Sequence, residues 1–156
     1  MTDQDMNDKT FLLKKDVFEV FQEYIKIGDF SIETGGILVG ELKPMENAIL
    51  VTDISKSYEH DRKSRYRFTR KAEGHQEFMD DVWRSSGYKK MYLGEWHTHD
   101  QAMPIPSLVD RKTWKKIAGR SNNSPMMVFV IVGTNEIGMW TINKGALHKI
   151  SYEVVE

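Results

Sequence analysis

His97 and His99 stand two residues apart in Gly94-Glu95-Trp96-His97-Thr98-His99, and Ser107-Leu108-Val109-Asp110 follows after a short loop. On an extended strand, side chains two residues apart point the same way. Two imidazoles on one face can hold one metal ion, and a carboxylate such as Asp110 can supply a third ligand. Three protein ligands with one position left for water is the pattern of a catalytic zinc site. Each piece also has a plainer reading. Two histidines at a strand end can be merely polar. Ser107 with Asp110 three residues on is a capping box, in which the serine caps a helix and the aspartate reaches back. On that segment alone, capping is favoured. Glu33, just before the glycine pair Gly35-Gly36, would by itself be a turn or surface acid. Only the joint occurrence of these pieces points to chemistry.

The elements that must position them follow from periodicity and turn residues. Phe11 to Leu13 reads as a short strand. Asp16 to Ile27 reads as a helix, with Val17, Phe18, Phe21, Tyr24 and Ile25 at helical spacing and Gly28-Asp29 ending it. Ile37 to Glu41 is a buried strand behind two glycines, which allow close backbone approach. A turn at Lys43 to Asn47 leads to an alternating strand, Ala48 to Ile54. Lys56 to Arg65 is a polar loop with four basic residues, either a guide for an acidic partner or a solvated loop, and the latter is favoured. Tyr66 to Phe68 is a brief strand and Arg70 to Ser85 a helix, capped by Gly87. Lys90 to Trp96 is the strand that runs into the two histidines. Asp100 to Pro106 is a loop, Ser107 to Ala118 a helix, and Arg120 to Pro125 another loop. Three strands close the chain: Met126 to Gly133, Ile137 to Asn143 and Ala146 to Val154. Mixed strands and helices in this order suggest an α+β sheet packed with helices.

Composition narrows the classes. The 156 residues are 40% hydrophobic and 29% charged with a net charge of -1, ordinary for one globular domain. Near-neutral charge, without aromatics interleaved among basic residues, argues against a nucleic-acid module. With no cysteine, a metal must be held by nitrogen and oxygen. The acidic start does not read as a signal peptide. No apolar run approaches the roughly 18 residues of a membrane span. The expectation is a soluble, cytoplasmic protein with a flexible tail over residues 1–9 and one domain over 10–156.

Glu33-Thr34-Gly35-Gly36, His97-Thr98-His99 and, seven residues later, Ser107-Leu108-Val109-Asp110 together resemble the JAMM motif of the JAB/MPN metalloprotease family. All five functional positions are filled at the family spacing, and the element order fits from about Phe11 to the end. The resemblance implies an α+β, cytidine-deaminase-like single domain with a curved mixed sheet flanked by helices. It implies one catalytic Zn2+ held by His97, His99 and Asp110. Glu33 would be the general base acting on the zinc-bound water, and Ser107 would hydrogen-bond the developing oxyanion. On this reading, Asp110 has less freedom to cap its helix. Many family members have proline after the second histidine where this chain has Asp100, which is either one more acid supporting the metal's ligands or a solvent-facing residue, the latter favoured. Glu95 is either a group orienting a histidine or a plain strand carboxylate. His60, His75 and His148 lack a matching spacing and are not expected to be ligands.

Within the family, the chain is similar to small bacterial members encoded beside ubiquitin-activating and conjugating-like enzymes. One group belongs to CBASS antiviral operons, where the peptidase removes a conjugated cyclic-nucleotide synthase from its targets. The implied activity is isopeptide or peptide hydrolysis after the extended C-terminal tail of a ubiquitin-like protein or conjugated cyclase. Such tails typically bind by adding a strand to a sheet edge. Alternatives are hydrolysis at another ubiquitin-like or sulfur-carrier tail, hydrolysis of a small amide, and a non-catalytic MPN scaffold, against which the intact ligand set argues.

Overall fold

The computed structural model describes residues 8–56, 62–63, 68–69, 74–120 and 126–156. The elements are β1 (Thr10–Lys14), α1 (Lys15–Ile27), β2 (Gly35–Lys43), β3 (Ala48–Ile54), β4 (Arg62–Lys63), β5 (Phe68–Thr69) and α2 (His75–Ser85). They continue with β6 (Met91–Thr98), α3 (Leu108–Gly119), β7 (Val128–Val132), β8 (Ile137–Asn143), β9 (Ala146–Ile150) and β10 (Glu153–Val155). A 3-10 turn, Pro44–Glu46, joins β2 to β3. Among the described residues, no helix is long and apolar enough to cross a membrane.

Eight strands form one sheet in the order β10-β1-β3-β2-β6-β7-β8-β9. The pairs β1/β10, β1/β3 and β6/β7 are parallel, and the others are antiparallel. The expected α+β class with a curved mixed sheet is therefore observed. The curvature is required by connectivity. β9 and β10 occupy opposite ends of the order, yet only Ser151 and Tyr152 separate them. Laid flat, eight strands would set the end strands roughly 34 Å apart, whereas three peptide steps span about 11 Å at most. The sheet must curl until its edges approach.

That curl corrects the expectation of a single last strand from Ala146 to Val154. The chain pairs with β8 as far as Ile150, then crosses to pair with β1 from Glu153. An apolar/polar pattern records which face a residue shows, not which edge its strand joins. The expected Tyr66 to Phe68 strand is described only from Phe68, which with Thr69 pairs with Arg62–Lys63. The basic run Lys56 to Arg65 otherwise lies outside the described residues except for Lys56, and so do residues 1–7, 70–73 and 121–125.

Two apolar clusters cover the sheet. One joins α1, through Val17 and Phe21, to Phe11, Leu13, Leu38, Leu93, Trp96 and Val130. The other joins α3, through Trp114, to Met127, Phe129, Ile131 and Trp140. All five residues of β7 are buried, as expected of a central strand covered on both faces. Trp96 rests on Phe21 and Tyr24 at ring separations of 5.2 and 5.4 Å. His97, the next residue, faces the opposite cluster, 6.0 Å from the Trp114 ring.

Gly94 keeps that alternation in phase. Its φ is +154°, and a β-carbon there would lie 1.6 Å from the Val128 carbonyl oxygen. The β2/β6 register shifts beside it, between Leu38 and Val39. Tyr92 and Glu95, three residues apart, consequently meet, the Tyr92 hydroxyl donating to Glu95 Oε1 at 3.3 Å. A Gly94→Ala substitution is expected to cost roughly 3 kcal/mol or more, read as a drop in the urea unfolding midpoint. An unchanged midpoint would mean that β6 and β7 separate without penalty.

Candidate metal centre

The centre is assembled by strand register. Gly35 of β2 lies opposite His97 of β6. Continuing that antiparallel register places Thr34 opposite Thr98 and Glu33 opposite His99. Two hydrogen bonds hold the extension: the Thr98 amide donates to the Thr34 carbonyl at 2.8 Å, and the Thr34 amide to Thr98 Oγ1 at 3.0 Å. The glycine pair permits the approach, because a β-carbon on Gly36 would lie 2.1 Å from the Ser55 carbonyl oxygen. Glu33 is thereby buried, with Oε1 3.8 Å from His99 Nε2.

His97 is the penultimate residue of β6, and His99, just past its end, continues its line, donating its amide to the Val132 carbonyl at 3.0 Å. Both rings turn Nε2 inward, and the two nitrogens are 3.1 Å apart. Asp110 completes a triangle, with Oδ1 3.2 Å from His97 Nε2 and Oδ2 3.2 Å from His99 Nε2. Ligand atoms of all three residues lie within 4.8 Å of one another. In a tetrahedral site with zinc–ligand bonds of about 2.0–2.1 Å, neighbouring ligand atoms sit about 3.3 Å apart. The Nε2–Nε2 separation and the two contacts to Asp110, one through each carboxylate oxygen, are close to that spacing, and two imidazoles with a carboxylate are a donor set suited to zinc.

The capping box is present and is part of the same arrangement. Ser107 is the N-cap of α3; its Oγ accepts the Asp110 amide at 3.0 Å, and Asp110 Oδ2 accepts the Ser107 amide at 2.8 Å. Capping was expected to compete with ligation by Asp110. Instead, the cap holds the carboxylate in the rotamer that faces both histidines. A carboxylate has about four lone-pair sites, so one amide does not exhaust it.

Charge sets the protonation of the metal-free centre. Burial pushes the Asp110 carboxyl up, but hydrogen bonds from both histidines, the charge of His97 and the Ser107 amide outweigh it and hold the group well below the usual carboxylate range. Burial pulls His99 down, yet the hydrogen bond and charge of Asp110, the charge of Glu33 and Gln101 leave it above the ordinary imidazole value. The carboxylates therefore favour a protonated imidazole, and a metal must displace that proton.

All five residues singled out by spacing converge. Asp100 is exposed, as expected of a solvent-facing residue, and Glu95 accepts from Tyr92. His75 is buried against Ser55, with Nδ1 2.6 Å from Oγ, and is not in the ligand cluster. His148 lies in β9, and His60 is outside the described residues. Gln101 is a supporting residue that spacing did not reveal. Its Oε1 lies 3.4 Å from His99 Nδ1 and accepts the Ile105 amide at 3.0 Å. An amide in a loop carries no periodic signal, although its place two residues after a candidate ligand was a clue.

The family model for prokaryotic homologs of the JAB domain matches residues 26–143. The chain belongs to this family. An Escherichia coli (strain TW11681) protein named CD-NTase/cGAS isopeptidase is 30% identical over 148 residues, covering 95% of this chain and 92% of that one. Proteins of the same name from Pseudomonas aeruginosa (strain BWHPSA011 / Pa011) and Vibrio cholerae (serotype O1, strain El Tor Inaba N16961) are 30% and 29% identical, covering 84% and 85% of this chain and 82% of each relative. The solution structure of the Desulfitobacterium hafniense protein DSY2949 superposes with a TM-score of 0.66 at 18% identity, over 94% of each chain, and shares the fold.

For this JAB domain, zinc affinity should rise with pH through and above the ordinary imidazole range, because protons on His99 compete with the metal. Zinc competition titrations from pH 5 to 8 measure this, and a flat profile would contradict the proton-holding centre. Asp110→Ala should lower zinc from about one ion per chain to a small fraction, read by metal analysis after dialysis.

Proposed function

We propose that the chain is a zinc-dependent isopeptidase. It would hydrolyse the amide bond that follows the C-terminus of a conjugated protein, the conjugated protein being a cyclic-nucleotide synthase of a bacterial CBASS antiviral system. The name shared by the E. coli, P. aeruginosa and V. cholerae relatives, CD-NTase/cGAS isopeptidase, supports the substrate class. The observation that carries the chemistry is the buried Glu33 carboxylate 3.8 Å from His99 Nε2, beside His97, His99 and Asp110, whose ligand atoms lie within 4.8 Å of one another. Ubiquitin-activating and conjugating-like enzymes would be its functional partners, and the cytoplasm its compartment. Residues 10–156 would form the single catalytic domain.

His97, His99 and Asp110 would hold the ion. Zinc bound there supplies a Lewis acid and lowers the pKa of its water toward about 7. Glu33 takes the proton from the attacking water and returns it to the leaving amine. Its backbone position opposite His99, fixed by two hydrogen bonds between Thr34 and Thr98, sets the carboxylate on the face that carries the histidines. Ser107 Oγ uses a lone pair to accept the Asp110 amide, which leaves its O–H to donate to the developing oxyanion. Because Ser107 is the N-cap, this donor sits on the rigid start of α3.

Cleavage of a model conjugate tests the proposal, with a CBASS cyclic-nucleotide synthase fused through its C-terminus to a reporter. Wild type should cut at the synthase terminus and stop cutting with chelator. Glu33→Ala should lose roughly 10²–10⁴-fold in turnover while keeping its zinc, since Glu33 is not a ligand. Zinc loss in that variant would remove the base assignment. A zinc-loaded wild type that leaves the conjugate intact would remove the substrate class. Ser107→Ala should lower kcat about 10²–10³-fold and weaken the α3 cap by about 1 kcal/mol.

A further inference from the structure

Each helix is fixed to the sheet by what it buries. α1 buries Val17 and Phe21, and α3 buries Trp114. In α2 the one fully buried residue is a histidine, His75, at the start of the helix. Phe78, Met79 and Val82 are only half-buried. Among the described residues, no side chain caps this helix start, where Gly74 stands at φ +82°. A buried imidazole is a costly anchor unless its polar atoms are bonded, so the partner of His75 decides how α2 is held.

That partner is Ser55, the residue after β3, itself buried. Its Oγ lies 2.6 Å from His75 Nδ1 and accepts the Ile37 amide at 2.9 Å. The Ser55 amide donates to the Ile37 carbonyl at 3.1 Å, and the Ser55 carbonyl accepts Trp96 Nε1 at 2.8 Å. Ser55 is thus tied twice to β2 and once to β6. A hydroxyl has one proton and two lone pairs. Ile37 takes one lone pair, and the proton has Nδ1 within reach. His75 therefore joins α2 to the strand pair that carries Glu33, His97 and His99. The same contact closes the base of residues 56–74, which include β4 and β5.

α2 is also one wall of a cleft of about 350 Å³, lined by His75 and Met79 of α2, Ile37 and Tyr92 of the sheet, and Ile117 and Arg120 of α3. Ile37 lies opposite Glu95, two residues from the Gly35–His97 pair. Residues two apart on a strand share a face, so the cleft opens on the face that carries the histidines. At about 1.5 Å per residue, Ile117 lies roughly 10 Å along α3 from Asp110, which is about three residues of extended chain. An extended tail with its last amide at the centre, running along α3, enters this cleft about three residues before the scissile bond. The centre itself is held by other contacts, the Thr34–Thr98 hydrogen bonds and the Ser107–Asp110 box. Losing the His75–Ser55 contact would free the wall and leave the centre.

We propose that His75 is a positioning residue: its Nδ1 contact with Ser55 fixes α2 as the wall of the tail cleft, so it governs binding of the substrate tail and not the chemical step. This rests on the isopeptidase reading and adds a residue that acts on the tail. Two polar variants separate the contact from bulk packing. His75→Asn places an amide atom where Nδ1 stood, and His75→Gln places one where Nε2 stood. The first arm is hydrogen exchange and needs no cleavage. In His75→Gln the α2 amides should exchange at least about ten-fold faster than in wild type while those of α3 and β7 stay unchanged, and His75→Asn should match wild type within about two-fold. Unchanged α2 exchange in His75→Gln, or equal acceleration in both variants, overturns the proposal. The second arm compares a conjugate made through the full synthase tail with one carrying only the last two residues of that tail. On the full tail His75→Gln should raise KM about ten-fold with kcat within about two-fold, and His75→Asn should restore KM. All three proteins should cut the short-tail conjugate equally and hold about one zinc per chain. A loss of kcat or of zinc in His75→Gln, or an equal loss on the short tail, would show a merely structural residue and overturn the proposal. If His75→Gln does not fold, Ser55→Ala breaks the same contact from the other side and takes its place in both arms. A wild type that cuts no conjugate sinks the isopeptidase reading, and with it the role in tail binding, while exchange still decides whether His75 anchors α2.

Discussion

Antiparallel pairing of β2 with β6 is the constraint on which the centre depends. A strand pair brings opposite residues to the same face at a fixed spacing. Gly35 opposite His97 therefore commits Glu33 to His99, although 64 residues separate Thr34 from Thr98 in the chain. A slip of one residue would turn Glu33 to the other face. The register is guarded on both sides. Gly36 lies against Ser55, whose Oγ accepts the Ile37 amide and whose carbonyl accepts Trp96 Nε1. Gly94 admits the one irregularity, where any side chain would strike Val128.

The start of α3 combines two demands usually treated as separate. A helix N-terminus leaves backbone amides without partners, and a ligand carboxylate must be held in one rotamer. Ser107 and Asp110 meet both demands with the same pair of hydrogen bonds. The carboxylate is anchored by the helix it caps, while the histidines are anchored by the strand and by Trp114, which packs beneath His97 and stacks on Phe129 at 4.7 Å. Local helix chemistry, sheet register and the α3-side core thus converge on one triangle of ligand atoms.

The electrostatics follow from this convergence. Two carboxylates beside two imidazoles in a half-dry pocket favour positive charge, which a proton supplies when no metal does. Burial alone would have pushed Asp110 and His99 toward neutrality. That both shift the other way shows that the mutual hydrogen bonds outweigh desolvation.

Much of this was legible in the sequence because it is local. The spacing of His97 and His99, the Ser107–Asp110 box, the glycines at 35 and 36 and most element boundaries depend on residues within a turn or a strand of one another. The strand Ala48–Ile54 and the helix ending at Gly28 were readable for that reason. Only the tertiary structure could decide three further points. The last segment divides into two strands at opposite edges of the sheet, because curling, not residue pattern, determines which edge a strand finds. Gln101 supports His99, because a loop amide has no period to reveal its partner. Asp110 caps its helix and faces the histidines at once, because compatibility of the two roles is a matter of lone-pair directions in space. Sequence by itself determined which groups were available and on which face each would lie; the distances that make them a centre came from long-range strand pairing, which one-dimensional spacing does not encode.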